Sequence, residues 1–281
     1  MQSPPFFSIV IPVFNEAENL EPMAGEIRAA FQGRAEAYEV IFVDDASTDD
    51  SPAVLRRLTL ASGGVVRSLR HRRNFGQSAA VASGFRAARG EWIGTLDGDG
   101  QNDPADLPRL LDEARRLGVD CVTGVRAKRL DDFIRRLSSR VGNGFRNWAT
   151  GDRVTDSGCG VRVLRAACTR ELPVFNGLHR FMPTLLRSKG FTVAESPVNH
   201  RPRLRGVSKY GVHNRLWRGI RDCFGVRWFA ARAVPAERLE GGAEQGPGKL
   251  GDTGRTSRKA PKTTTNTPRW RPASRRNSGA C

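Results

Sequence analysis

Trp92-Ile93-Gly94-Thr95-Leu96-Asp97-Gly98-Asp99-Gly100-Gln101 is the stretch that decides the fold. Trp92–Leu96 is a short, mostly apolar run, the length of a buried strand and too short for a helix. It stops abruptly at two carboxylates separated by one glycine. The same arrangement recurs upstream: Val40–Val43 is fully apolar and ends in Asp44-Asp45, and Phe7–Val13 runs past Pro12 into the polar pair Asn15-Glu16. Val65–Leu69 supplies a further strand. Helical segments lie between these runs. Ala17–Phe31 has Leu20, Met23, Ile27 and Phe31 at helical spacing, and Gln77–Ala88 is alanine-rich and closed by Gly90. Ala53–Leu60 follows Ser47-Thr48-Asp49-Asp50-Ser51-Pro52, which offers helix N-cap chemistry. Strand alternating with helix at this spacing predicts an α/β fold with a doubly wound, mostly parallel sheet. Ligands bind such sheets beyond the carboxyl ends of the strands, and that edge gathers three polar or acidic strand ends.

Two carboxylates at i and i+2, with glycines between, can converge on one hard cation whose shell is completed by waters and substrate phosphates. Gln101 adds a neutral oxygen. Taken alone, the tetrad is equally a solvated acidic turn. It is not an EF-hand, because the twelfth position counted from Asp97 is Pro108. Asp44-Asp45 can hydrogen-bond a base or ribose, or simply complement a helix N-terminus. Three acidic strand ends on one edge favour the ligand-binding alternative.

Charge is uneven. The chain of 281 residues carries a formal +17, yet residues 1–100 hold 10 basic and 13 acidic side chains. Residues 101–230 hold 25 and 12, so the middle of the chain is built to meet anions. A nucleic-acid-binding role is disfavoured by the acidic first hundred residues and by the lack of any recognition motif. The cysteines at 121, 159, 168, 223 and 281 have no Cys-x-x-Cys pairing, which fits a reducing compartment rather than a disulfide framework. No apolar run reaches the ~18 residues a spanning helix needs, and Met-Gln-Ser-Pro-Pro is no signal peptide. The expected compartment is therefore the cytoplasm. From about Ala231 the composition turns to Gly, Pro, Thr, Ser, Arg and Lys, predicting a disordered basic tail over 231–281 behind a domain of residues 1–230.

The runs Ile9-Val10-Ile11-Pro12-Val13-Phe14-Asn15-Glu16, Val43-Asp44-Asp45-Ala46-Ser47-Thr48-Asp49, Arg73-Asn74-Phe75-Gly76-Gln77 and Leu96–Gln101 occur in a set order. Together they resemble family 2 glycosyltransferases of the GT-A fold. The match is nearest to the polyprenyl-phosphate, dolichol-phosphate-mannose-synthase-like branch. Asp156–Arg162, Gly177–Pro183, Pro197–Arg203 and Ser208–Tyr210 extend the resemblance over about residues 7–229. It implies that Pro12, Phe14, Glu16, Val43 and Asp45 line a nucleotide pocket. Asp97 would face the nucleotide sugar and, with Asp99 and Gln101, hold Mg²⁺ or Mn²⁺. Arg126, Arg203 and Lys209 would meet donor and acceptor phosphates, with Arg135 and Ser139 as further acceptor contacts. Two departures stand out. The branch commonly has Asp-Ala-Asp-Leu-Gln where both spacers here are glycine, which bears on loop rigidity, and Phe14 replaces the usual tyrosine.

The implied chemistry is inverting transfer of a sugar from a nucleotide sugar to a polyprenyl phosphate by direct displacement, with metal and cations stabilising the departing diphosphate. A phosphate acceptor is already an anionic nucleophile; a soluble or polysaccharide acceptor would need a base, for which Asp156 is the candidate. GDP-mannose, UDP-glucose and UDP-N-acetylglucosamine stay open, as does the oligomeric state. Two basic, aromatic-bearing stretches, about 130–148 and 210–229, have the pattern of interfacial helices lying on an anionic membrane, or of helices packing one stripe on the core. Attachment at the inner face of the membrane is expected to be peripheral. His71, His179, His200 and His213 show no metal-ligand spacing.

Overall fold

A computed structural model describes residues 4–126, 133–202 and 213–234, with the side chains of 133–141 and 213–218 not included. Its strands are β1 (Phe7–Val13), β2 (Tyr38–Asp44), β3 (Val66–Arg70), β4 (Trp92–Thr95), β5 (Cys121–Arg126), β6 (Arg162–Arg165) and β7 (Val193–Val198). They form one sheet in the order β3-β2-β1-β4-β6-β5-β7. β6 runs antiparallel to both of its neighbours, and every other pairing is parallel. The helices are α1 (Ala17–Ala30), α2 (Ser51–Ala61), α3 (Gln77–Ala87), α4 (Asp106–Leu117), α5 (Phe133–Thr150), α6 (Ala166–Arg170), α7 (Leu178–Ser188) and α8 (His213–Ala230).

Side-chain alternation along the central strands accounts for the two-sided wrapping. Phe7, Ile9, Ile11 and Val13 of β1 face a core shared with Leu20, Met23 and Ile27 of α1 and Leu107, Leu110 and Leu111 of α4. Val10 faces the opposite way, against Val81 and Phe85 of α3. In β2, Val40 and Phe42 join the first core, whereas Ile41 and Val43 pack on Ala80 of α3. The mostly parallel α/β sheet expected from the sequence is present, with three further strands beyond the four read there.

The polar run before α2 serves that helix through one side-chain bond, from the Ser51 N–H to Asp49 Oδ1 (3.0 Å), and otherwise turns elsewhere. Asp50 occupies the N-cap position without a side-chain capping bond. Ser47 Oγ instead accepts from the Asn15 N–H (2.9 Å), Ser51 Oγ from Glu16 N–H (3.0 Å) and Asp49 from Ala17 N–H (3.2 Å). The run therefore ties the β2–α2 loop to the β1–α1 loop and satisfies orphan donors at the start of α1.

At the opposite edge of the sheet, Glu39 is 1 % exposed and accepts from Ser8 Oγ (2.7 Å), Arg67 Nη1 (2.9 Å) and Arg89 Nη2 (2.8 Å). Burial pushes its carboxyl up, but these bonds and the Arg89 backbone N–H outweigh it and hold Glu39 below its ordinary 4.5. A carboxyl depressed in the fold contributes stability above pH ~4.5 that is lost on acidification. Glu39→Gln is expected to cost about 2 kcal/mol at pH 7, discounted because both arginines are partly exposed, and the gap to the unsubstituted protein should close as pH falls below 4.5. Urea unfolding at pH 7 and pH 4 checks this.

The two stretches with an interfacial pattern divide their aromatics between core and solvent. Phe145 on α5 and Phe229 on α8 pack against the second core, together with buried Cys223 and Val226. Trp148, Phe224 and Trp228 are 68 %, 51 % and 60 % exposed. α5 and α8 pack on each other. The basic tail expected over 231–281 falls outside the described residues from 235 onward.

Candidate active site

The C-terminal ends of β1, β2 and β4 meet at one edge, in parallel register from Val13 beside Asp44 to Val10 beside Thr95. β6, running the other way, delivers its first residue, Arg162, opposite Thr95. β5 and β7 add Arg126 and the Asn199–Arg201 segment. Strands, loops and the N-termini of α3 and α7 enclose a cavity of about 210 Å³. Asp97, Gln77, Arg162, His179 and Arg180 bring its charge and polarity, and Pro12, Val81 and Met182 its apolar wall.

Asp97 is the centre of this arrangement. Its Oδ1 accepts from Gln77 Nε2, the first residue of α3 (2.8 Å), and its backbone N–H donates to Asn102 Oδ1 (3.0 Å). Burial pushes its carboxyl up to about 6, and neighbouring Asp99 adds to the rise while Arg162 and Arg126 oppose it. A Cβ on Gly160 would lie 2.2 Å from Asp97 Oδ2 and 2.4 Å from its carboxyl carbon, so the carboxylate rests directly on that glycine. The spacer glycines are also explained. A Cβ on Gly98 would meet the Pro12 carbonyl oxygen at 2.8 Å, and Gly100 has φ +73°.

The loop after β4 is held in turn. The Gln101 N–H donates to Asp99 Oδ1 (3.2 Å), the Arg201 N–H donates to the Gln101 carbonyl (2.8 Å), and Asn102 bridges to His200. Among the described residues no three His, Cys, Asp or Glu side chains converge as a metal cage. The donor set nevertheless suits a hard divalent ion. The charge of Asp99 helps raise the proton affinity of Asp97, which a cation between them would relieve, and Mg²⁺ commonly uses one or two carboxylates plus substrate phosphate oxygens.

Asp45, the residue after β2, is buried. Both of its oxygens are engaged by the loop before α3: His71 Nδ1 (2.7 Å) and Phe75 N–H (2.9 Å) on Oδ1, and Gly76 N–H (2.7 Å) on Oδ2. Val43 is fully buried against α3, away from the cavity wall. Pro12 lines the cavity, Phe14 and Glu16 lie half-buried in the loop after β1, and Glu16 accepts from Asn19 Nδ2 at 2.7 Å.

Asp156 and Arg126 form a bidentate pair, with Arg126 Nε 2.7 Å from Oδ2 and Nη2 2.8 Å from Oδ1. The Gly158 N–H also donates to Asp156 (3.1 Å). The two residues assigned separate tasks from the sequence are thus one unit, at the cavity rim beside Ser157 and Gly158. Arg203 and Lys209 lie outside the described residues, as do the side chains of Arg135 and Ser139. Sequence reasoning gave no role to Gln77, Gly160 or Arg162, which the fold brings to Asp97. The glycine-flanked run Gly158-Cys159-Gly160 was the available signal, since glycine permits close approach of backbone to another group.

Residues 8–168 match the family described as Glycosyl transferase family 2. A dodecaprenyl-phosphate galacturonate synthase of Rhizobium johnstonii is 36 % identical over 225 residues, covering 79 % of this chain and 66 % of the relative. An undecaprenyl-phosphate 4-deoxy-4-formamido-L-arabinose transferase of Edwardsiella ictaluri is 37 % identical over 207 residues, covering 74 % and 63 %. The chain thus spans just under two thirds of the length of these curated relatives. Among solved structures, a Pyrobaculum calidifontis mannosyltransferase in complex with GDP-Man and Mn²⁺ superposes with TM-score 0.57 at 22 % identity, covering 82 % of this chain and 65 % of the other. Glucosyl-3-phosphoglycerate synthase of Mycobacterium tuberculosis, in complex with Mn²⁺, UDP-Glc and phosphoglyceric acid, gives TM-score 0.59 at 17 % identity, covering 82 % and 81 %. These likenesses establish the GT-A fold. By its fold and its match over residues 8–168, the chain belongs to glycosyl transferase family 2.

Proposed function

We propose that the chain transfers a sugar from a nucleoside-diphosphate sugar to a polyprenyl phosphate, with inversion, at a membrane surface. The observation that carries this is the cavity at the β4 edge, where Asp97 faces Arg162, His179 and Arg180. The curated relatives, named for transfer to dodecaprenyl or undecaprenyl phosphate, support the same acceptor class. Asp97 and Asp99, with Gln101, would hold Mg²⁺ or Mn²⁺, which when bound neutralises charge on the diphosphate. Gln77 and Gly160 fix the Asp97 carboxylate, and the loop pinned through Asn102 and Arg201 fixes Asp99 relative to it. The Asp45 cluster orders the loop that leads into α3 and Gln77. An acceptor phosphate brings its own anionic oxygen, so Asp156 is left to orient Arg126 rather than to take a proton.

The deciding assay is donor turnover with Mn²⁺ or Mg²⁺ over a panel of GDP- and UDP-sugars, with and without farnesyl phosphate. Lipid-dependent transfer of one sugar is the expected result. Transfer that ignores the lipid would send the acceptor assignment to soluble molecules, and would return Asp156 to the role of base.

Exposed Trp148, Phe224 and Trp228 on α5 and α8 are the proposed membrane-facing surface, since indole rings settle at the lipid–water interface and neighbouring arginines favour anionic headgroups. The protein is expected to float with phosphatidylglycerol-containing vesicles. Trp148→Ser and Trp228→Ser should each weaken that binding roughly tenfold, from the apolar area withdrawn. Unaltered flotation in the double variant would place the contact elsewhere.

A further inference from the structure

Arg162 is 3 % exposed, yet its Nε and Nη2 have no hydrogen-bond partner, and among the described residues it forms no ion pair. Both nitrogens belong to the edge of the guanidinium that grips a carboxylate side-on. Arg126 uses the same edge, Nε and Nη2, on the two oxygens of Asp156. Arg162 is therefore a preformed fork with nothing in it, on the wall of the cavity that holds Asp97. A buried unpaired cation is costly, and a sequence under no functional demand would replace it with an apolar side chain. Asp97 does not fill the fork. It acts on Arg162 through space, but its oxygens are committed to Gln77 and to the surface of Gly160.

The position follows from topology. β6 is the one antiparallel strand, so its first residue arrives at the edge where the other strands end, between β4 and β5. Thr95 and Thr123 flank Arg162 across the two ladders. Thr95 Oγ1 donates to the Gly160 carbonyl (2.6 Å), and Thr123 Oγ1 is itself buried without a partner. The neighbourhood is polar, yet none of its groups hydrogen-bonds the Nε–Nη2 edge, and Asp97 reaches the guanidinium only through space.

We propose that Arg162 is the oxyanion-binding residue of this cavity, taking two oxygens of one carboxylate or phosphate of the substrates on Nε and Nη2. The inference rests on the sugar-transfer reading and deepens it. The oxyanion has two possible sources with the same recognition chemistry: a carboxylate on the transferred sugar, or a phosphate of donor or acceptor. A bidentate guanidinium–oxyanion contact in a dry site is worth about 10- to 100-fold in affinity.

The test compares the unsubstituted protein with Arg162→Met and Arg162→Lys. Binding of UDP-galacturonate, UDP-galactose, GDP-mannose and farnesyl phosphate is measured in Mn²⁺, alongside the thermal midpoint without ligand. Arg162→Met, which at similar length removes buried donors that have no hydrogen-bond partner, is expected to melt at or above the unsubstituted protein, whereas an arginine holding the fold together would leave it less stable. Affinity should fall about 10- to 100-fold for at least one probe, and Arg162→Lys should recover part of it through charge without the fork. A fall confined to UDP-galacturonate identifies a sugar carboxylate, one confined to farnesyl phosphate the acceptor, and an equal fall for all nucleotide sugars the diphosphate. Unchanged affinity for every probe overturns the proposal, whatever the midpoint. If the unsubstituted protein binds none of the probes, the sugar-transfer reading itself fails, an outcome distinct from wild-type binding that Arg162→Met leaves intact.

Discussion

Asp99→Ala is expected to lower metal-dependent sugar transfer about 10²- to 10³-fold while leaving the protein folded. Asp99 lies half-buried on the loop after β4, outside the apolar core, where its Oδ1 accepts the N–H of Gln101 at 3.2 Å. Its truncation opens no core cavity, so the stability cost should stay within about 1 kcal/mol. The electrostatic consequence is larger. One of the two carboxylates proposed to grip the metal disappears, and the survivor, Asp97, loses the like charge that helps raise it to about 6. With Asp99 gone, Asp97 shifts back toward its ordinary 3.8, and so it remains ionised to lower pH. A better-ionised single ligand does not restore a two-ligand grip on a hard cation. Turnover against Mn²⁺ concentration, with thermal unfolding as the control for fold, gives the answer. A variant that keeps both its maximal rate and its metal requirement would remove Asp99 from the site.

Gly160→Ala is the second large effect, and it separates position from chemistry because no functional group is removed. The added methyl would lie 2.2 Å from Asp97 Oδ2 and 2.6 Å from Oδ1, inside contact distance of the whole carboxylate. The Asp97 side chain must rotate away, breaking the 2.8 Å bond from Gln77 and leaving the direction set by the loop. Overpacking of this kind costs about 1–3 kcal/mol when the backbone must give, and less when a side-chain end can swing aside. The expected outcome is a small loss of stability with a roughly 10²-fold loss of transfer, since misplacing a catalytic-site ligand by about 1 Å has that scale of effect. Measurement of both the unfolding midpoint and turnover is needed. Full activity in Gly160→Ala would mean that Asp97 does not work in the orientation described.

Much of the first half of the molecule was legible from sequence, because its signals are local. Phe7–Val13 and Val40–Val43 alternate side chains between two buried faces and therefore appear as unbroken apolar runs, and each ends in polar residues that only a sheet edge accommodates. The second half resisted. β6 is four residues long, Arg162–Arg165, with arginine at both ends, and nothing in that run announces a strand inserted between β4 and β5. Its identity comes from partners 67 to 73 positions earlier on β4, such as Thr95 and Trp92, and periodicity is blind to pairing at that range. The polar run Ser47–Ser51 shows the converse error. Ser47, Asp49 and Ser51 have the chemistry of a helix cap, yet each accepts from a donor on another loop more than thirty positions away, and Asp49 serves α2 as well.

By itself, then, the sequence determined the alternation of strand and helix, the acidic strand ends, the Asp97-Gly98-Asp99 pair and the family to which they point. Backbone propensity, side-chain period and motif order are written within a few residues of one another, and so survive without a fold. Only the tertiary structure decided that Asp156 and Arg126 act as one ion pair, that Asp45 supports a loop, that Gly160 seats Asp97 and that Arg162 stands buried and unpaired beside them. Each of those relations joins groups between 20 and 70 positions apart. Their meaning depends on desolvation and on distances of a few ångströms, quantities that come into existence when the sheet closes over its core.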